Sequence, residues 1–136
     1  MKKIFSALVF VICAGIFNFC SADPYENNPK YSFVTAGQMG YYYLYLPSVD
    51  VQEYNPPHYQ IAGHFIHYGG MDGKTKKNIY ITLRYNWYTK ETFHLENGYW
   101  QKDTVRDNLD SQPVRANRAF ADALFRAAYG MDFYGY

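Results

Sequence analysis

Polar and apolar positions alternate most clearly between Asn78 and Trp87. Ile79, Ile81, Leu83, Tyr85 and Trp87 fall on one side of an extended chain, and Asn78, Tyr80, Thr82, Arg84 and Asn86 on the other. A period of two marks a half-buried strand, which assigns the Ile81–Leu83 side to a core. His58 to Tyr68 predicts a neighbouring strand whose odd positions are Tyr59, Ile61, Gly63, Phe65 and His67. The glycine-rich run from Gly69 to Gly73 predicts a flexible hairpin loop between the two. Shorter strands are predicted over Tyr31 to Thr35 and Tyr41 to Leu46, with a bend at Pro47-Ser48. A continuation from Val49 to Tyr54 stops at Asn55-Pro56-Pro57, because proline withholds a ladder donor. Thr89 to Leu95 and Tyr99 to Lys102 flank Glu96-Asn97-Gly98, and Asn-Gly is a strong hairpin signal.

The period changes near the end of the chain. Asp103 to Gln112 is polar and reads as a loop. Val114, Ala121, Leu124, Phe125 and Ala128 then share one side of a helix, while Arg115, Arg118, Asp122 and Arg126 fall largely elsewhere. Ser111 suits the N-cap, Pro113 the first turn and Gly130 the C′ stop. The predicted fold is α+β: an antiparallel β-meander of about five to six strands with one C-terminal helix packed on one face.

The first 22 residues stand apart. Lys2 and Lys3 precede an almost wholly apolar run to Phe19, and Cys20-Ser21-Ala22 places small residues at a cleavage position. This order predicts a secretory signal peptide over residues 1–22. The run is also shorter than the ~20 apolar residues a spanning helix needs. Bulky Phe19 directly before Cys20 argues against lipidation there. Residues 23–30 read as a flexible leader and 31–136 as a single domain.

Removing 1–22 changes the composition. Both cysteines lie within it, so residues 23–136 hold neither a disulfide nor a thiolate. Of 13 basic residues, losing Lys2 and Lys3 leaves 11 against 12 acidic ones, so the net charge moves from +1 to −1. No basic patch for nucleic acid or an anionic membrane remains.

Candidate chemistry is sparse. His64 and His67 are three apart, which on a strand puts them on opposite faces. His58 and His64 share a face but stand about 20 Å apart at strand rise. No metal motif, nucleophile elbow or phosphate loop is recognisable. Ser32, Ser48 and Ser111 carry no catalytic pattern. No cofactor and no enzymatic activity are therefore expected. All 16 Tyr, 2 Trp and six of the 10 Phe lie beyond residue 22. Tyrosine is stiff and amphipathic, and suits both half-buried sheet faces and binding surfaces. The candidate binding surface comprises Tyr80, Arg84, Tyr134 and Tyr136.

The segment YYYLYLPSVDVQEY (Tyr41 to Tyr54), the long alternating strands, the Glu96-Asn97-Gly98 turn and the terminal helix together resemble the surface-adhesin protein E family of small exported Gram-negative proteins. That resemblance covers about Tyr31 to Ala128. It implies a tyrosine-rich meander under one helix and attachment to host matrix proteins. Leu44 to Pro47 stands where members carry an acidic residue, and the cysteine pair common in the family has no counterpart beyond residue 22.

The resulting expectation is an exported, non-enzymatic bacterial envelope or surface protein of the binding or adhesion type. Its partner would be a protein or glycan at the cell surface, in the periplasm or outside the cell. Two alternatives stay open. One is a periplasmic accessory protein that self-associates through strand edges and the aromatic tail Met131 to Tyr136. The other is a small-ligand carrier or an enzyme of unrecognised type.

Overall fold

A computed structural model describes residues 23–37, 40–103 and 112–135. Seven strands form one antiparallel sheet: β1 (Tyr31–Gly37), β2 (Gly40–Tyr45), β3 (Asp50–Asn55), β4 (His58–Gly69), β5 (Thr75–Asn86), β6 (Glu91–Glu96) and β7 (Tyr99–Lys102). One helix follows, α1 (Gln112–Tyr129). The strand order is β1-β2-β4-β5-β6-β7, with β3 paired to β4 as well. The expected meander with one C-terminal helix is the observed fold.

The seventh strand comes from a break. β2 pairs with β4 from Gly40↔Gly69 to Leu44↔Phe65, and β3 takes over from Asp50↔Ala62 to Asn55↔His58. One long strand position is thus split by a 3-10 turn, Leu46–Ser48. Pro47 cannot donate to a ladder and enforces the split. Ser48 repairs it: its Oγ accepts the His64 N–H at 2.8 Å and donates to the Tyr45 carbonyl at 2.6 Å.

The predicted β5 face is the core face. Leu83 and Tyr85 are buried there, with Ile61 and Phe65 from β4 and Leu44 from β2. Ala121, Ala123, Leu124 and Phe125 of α1 close over them. Gly63 lets the helix come close, since a Cβ there would stand 2.8 Å from Leu124 Cδ2 and 3.2 Å from Leu44 Cδ1. Tyr85 is fully inside but keeps its hydroxyl bonded to the Ala121 carbonyl at 2.9 Å, as a buried phenol must. Gly130 ends the helix at φ 75°, its N–H bonded to the Arg126 carbonyl at 2.7 Å. Asn97 and Gly98, at φ 50° and 81°, make the predicted hairpin turn. Ser111, Tyr136 and 104–111 of the predicted loop lie outside the described residues.

Two peripheral segments belong to the fold. Residues 23–30, read above as a leader, form turns that bury Tyr25 against Tyr43 and Ile66 on the sheet face away from α1. The cause is local: Asp23 accepts the Tyr25 N–H at 2.9 Å and also the Tyr43 hydroxyl. The C-terminal aromatics also turn inward. Phe133 is fully buried in the main core. Lys90 spans it, with Nζ 3.1 Å above the Trp87 ring and bonded to the Phe133 carbonyl at 2.8 Å. Burial holds this ammonium below the usual lysine range.

Candidate functional site

The face away from α1 is covered over one half only. Tyr25 and its aromatic neighbours roof the β1–β2 side, while the β3–β7 side carries a row of long side chains that are exposed or half-buried among the described residues. Tyr80 on β5 is 55% exposed, with its ring 4.7 Å from that of His64. Its hydroxyl receives Gln52 Nε2 at 3.5 Å. Gln52 Oε1 in turn accepts Gln60 Nε2 at 2.6 Å, and Gln60 Oε1 accepts Arg84 Nε at 2.9 Å. The Arg84 guanidinium then lies on the Trp100 ring of β7, 4.0 Å from its centre. A continuous chain of side chains therefore crosses the sheet from Tyr80 to Trp100.

The backbone explains why these residues meet. Gln60↔Arg84 are paired across β4 and β5, and His64↔Tyr80 likewise, so each pair shares a face. A register shift between Val51 and Glu53 in β3 brings Gln52 onto the same face beside Gln60. Leu95↔Trp100 and Phe93↔Lys102 carry the face on to β7. Beside Arg84 lies an open depression of about 440 Å³, lined by Glu53, His58, Asn86 and Phe93. On its rim Lys102 is paired with Glu91, whose carboxyl it and Thr89 hold below the usual range. Arg84 has no carboxylate partner among the described residues.

Tyr80 and Arg84, predicted from strand alternation, thus stand on one surface. Tyr134 does not join them. Its hydroxyl is bonded to Thr92 Oγ1 at 2.7 Å and its N–H to Asp122 Oδ1 at 2.9 Å, beneath the Arg118 guanidinium. It is a brace between tail, helix and sheet. Burial raises the Asp122 carboxyl, while the Tyr134 N–H opposes the rise. Tyr136 lies outside the described residues. Sequence reasoning missed Gln52, Gln60 and Trp100. The β4 alternation could have found Gln60, but the shift that turns Gln52 has no sequence signal.

A second concavity, about 200 Å³, opens beside β5 on the helix side, where Ile81, Leu83 and Phe120 meet His94 and Asp103. His94 Nδ1 lies 2.7 Å from buried Asp103 and Nε2 lies 3.6 Å from Glu96. Both ring nitrogens therefore face carboxylates. Among the described residues no group of three or more His, Cys, Asp or Glu could hold a metal ion. Nor is any described helix long and apolar enough to cross a membrane.

Fold and surface together define a one-helix α+β sheet domain with one sealed face and one half-open, aromatic and amide-lined face. No family model, curated protein or solved structure matches the chain.

Proposed function

We propose that this is an exported, non-enzymatic envelope or surface protein that binds its partner on the open half of the sheet. The observation that supports it is the row from Tyr80 to Trp100. Large side chains are held in fixed positions there by one another, yet Tyr80 and Arg84 stay exposed among the described residues. Stiff aromatics, a guanidinium and amides ordered before binding lose little entropy on contact. The signal-like residues 1–22 and the resemblance to the surface-adhesin protein E family favour the same reading, with the envelope or the cell exterior as its location.

A panel of matrix proteins and cell-surface glycans, probed with the purified exported protein, tests it. Binding should fall with Tyr80→Ala and with Trp100→Ala. It should survive Tyr88→Ala, which removes a more exposed ring from the loop after β5. Undiminished binding in both face variants would sink the proposal.

A second reading draws on the edge of β3. Its residues are exposed on both faces, and it has β4 as its one strand partner among the described residues. Such an edge can pair with another copy. Within the aromatic tail, Phe133 is buried in the core and so is not offered to a partner. Light scattering decides: a monomer at every concentration, unchanged by Val51→Lys, removes this reading.

A further inference from the structure

We infer that Arg84, seated on Trp100, is the anion subsite for a carboxylate-bearing sugar, so that the ligand of the open face is an acidic glycan. The inference rests on the binding role proposed for that face and names its ligand class.

The guanidinium is prepared in three ways. Trp100 fixes its plane from below at 4.0 Å. Gln60 fixes its rotation by taking the Nε hydrogen at 2.9 Å. Its two terminal nitrogens are then left without a hydrogen-bond partner among the described residues, beside a depression of about 440 Å³. A planar fork with both outer donors free matches the two oxygens of a carboxylate, and charge-assisted paired bonds of this type are roughly twice as strong as neutral ones. The neighbouring cation, Lys102, is already neutralised by Glu91. Arg84 is therefore the cation that this depression offers to an anion.

The rest of the row favours a sugar over an acidic peptide. Amides both donate and accept, as hydroxyl groups do: Gln52 and Gln60 stand in the row, and Asn86 lines the depression with its Oδ1 held by the Tyr88 and Thr89 N–H groups. Tyr80 offers an exposed ring for the apolar side of a pyranose. An extended peptide would gain more from a free strand edge, where backbone bonds supply affinity, whereas Arg84 stands on β5, two strands in from both β3 and β7. Glu53 lines the same depression and opposes an anion, so its neutralisation should tighten binding.

Calorimetric titration of the full chain, expressed for export and purified, tests the inference with four probes: oligogalacturonate, its methyl ester, neutral oligogalactose and an oligo-aspartate peptide. Oligogalacturonate should bind, and its affinity should fall about tenfold or more in Arg84→Met, the equivalent of ~1.4 kcal/mol. Arg84→Lys, which keeps charge but loses the fork, should fall in between, and Glu53→Gln should gain. Thermal melting of each variant separates misfolding from lost recognition. Equal affinity for the acid, its ester and the neutral oligomer would overturn the anion subsite, yet leave a glycan-binding face standing. Equal or tighter binding of the peptide, lost in Arg84→Met, would overturn the sugar assignment. Absence of binding to all four probes would overturn the inference, while the panel result with Tyr80→Ala independently decides whether the face binds anything.

Discussion

The two faces of this sheet use similar residues for opposite ends. On the helix side, aromatics pack edge to face: Tyr85 against Phe133 at 4.9 Å, Phe65 against Phe120 at 4.8 Å, Tyr59 against Phe125 at 5.4 Å. Their order comes from burial, and the Tyr85 hydroxyl, carried deep inside, has a backbone acceptor. On the open side, Tyr80, Arg84 and Trp100 are ordered by hydrogen bonds and stacking while water reaches them. Removing a residue from the first face opens a cavity. Removing one from the second frees its neighbours but leaves the core intact. Stability and recognition should therefore be separable by face, and four measurements test that separation.

The largest effect is expected at Leu124, which is fully buried. Leu124→Ala should cost about 2–5 kcal/mol by denaturant titration. A loss below ~0.5 kcal/mol, the range of surface sites, would mean that α1 does not seal this face.

Gly63 should come next. Its added methyl in Gly63→Ala would press on Leu124 and Leu44, both fully buried and with little room to yield. Overpacking of this kind costs about 1–3 kcal/mol, offset by ~0.4–1 kcal/mol because alanine restricts the unfolded chain. In the Leu124→Ala background the methyl has space, so the same substitution should become neutral or stabilising. Additive losses in that double-mutant cycle would refute the contact.

Much of the helix-side face was legible in advance because burial imposes periodicity. The β5 alternation, the β4 odd positions and the Ala121–Leu124–Phe125 stripe each predict their own partners. What escaped was set by single side chains acting across long sequence distances. Tyr25 is core because Asp23 and Tyr43 fix its turn, and nothing in the polar composition of 23–30 announces that. Asp103 reads as loop but is buried against His94. The Tyr80–Arg84 half of the Tyr80–Trp100 row was readable, since a strand's polar side is its outer side. The amides that lock it were not, because Gln52 reaches the face only through an irregular register. The bonds of Tyr134 to Thr92 and Asp122 were not legible either, because nothing in the aromatic tail announces them.

Asp122 offers a smaller, pH-dependent test on the sealed side. Burial raises its carboxyl above the usual range, so the folded state holds that proton more tightly than the unfolded chain does. This contribution favours folding at low pH and is lost as the pH rises through the raised value. Asp122→Asn keeps an acceptor for the Tyr134 N–H and removes the charge. The variant should melt above the parent at pH 7, and the gap should close as the pH falls through the carboxylate range. A variant that melts below the parent at pH 7 but not at low pH would show that the charge itself steadies this corner, beside Arg118.

The smallest change in stability should come from Gln60→Ala, and it separates the faces most sharply. Gln60 touches nothing in the core; its amide links Gln52 to Arg84 at 2.6 and 2.9 Å. The melting midpoint should barely move, within the ~0.5 kcal/mol of surface sites. The order of the row should still be lost, because Arg84 keeps its stack on Trp100 but no longer has its rotation fixed. The Arg84 Nε–H signal in NMR should then exchange with water faster than in the parent, while the Tyr85 hydroxyl, bonded inside the other face, stays protected. An unaltered Arg84 signal would mean that Trp100 alone orients the guanidinium and that the amides contribute surface without order. A large fall in melting midpoint would mean that the open face carries stability after all, and the division of labour between the two faces would fail.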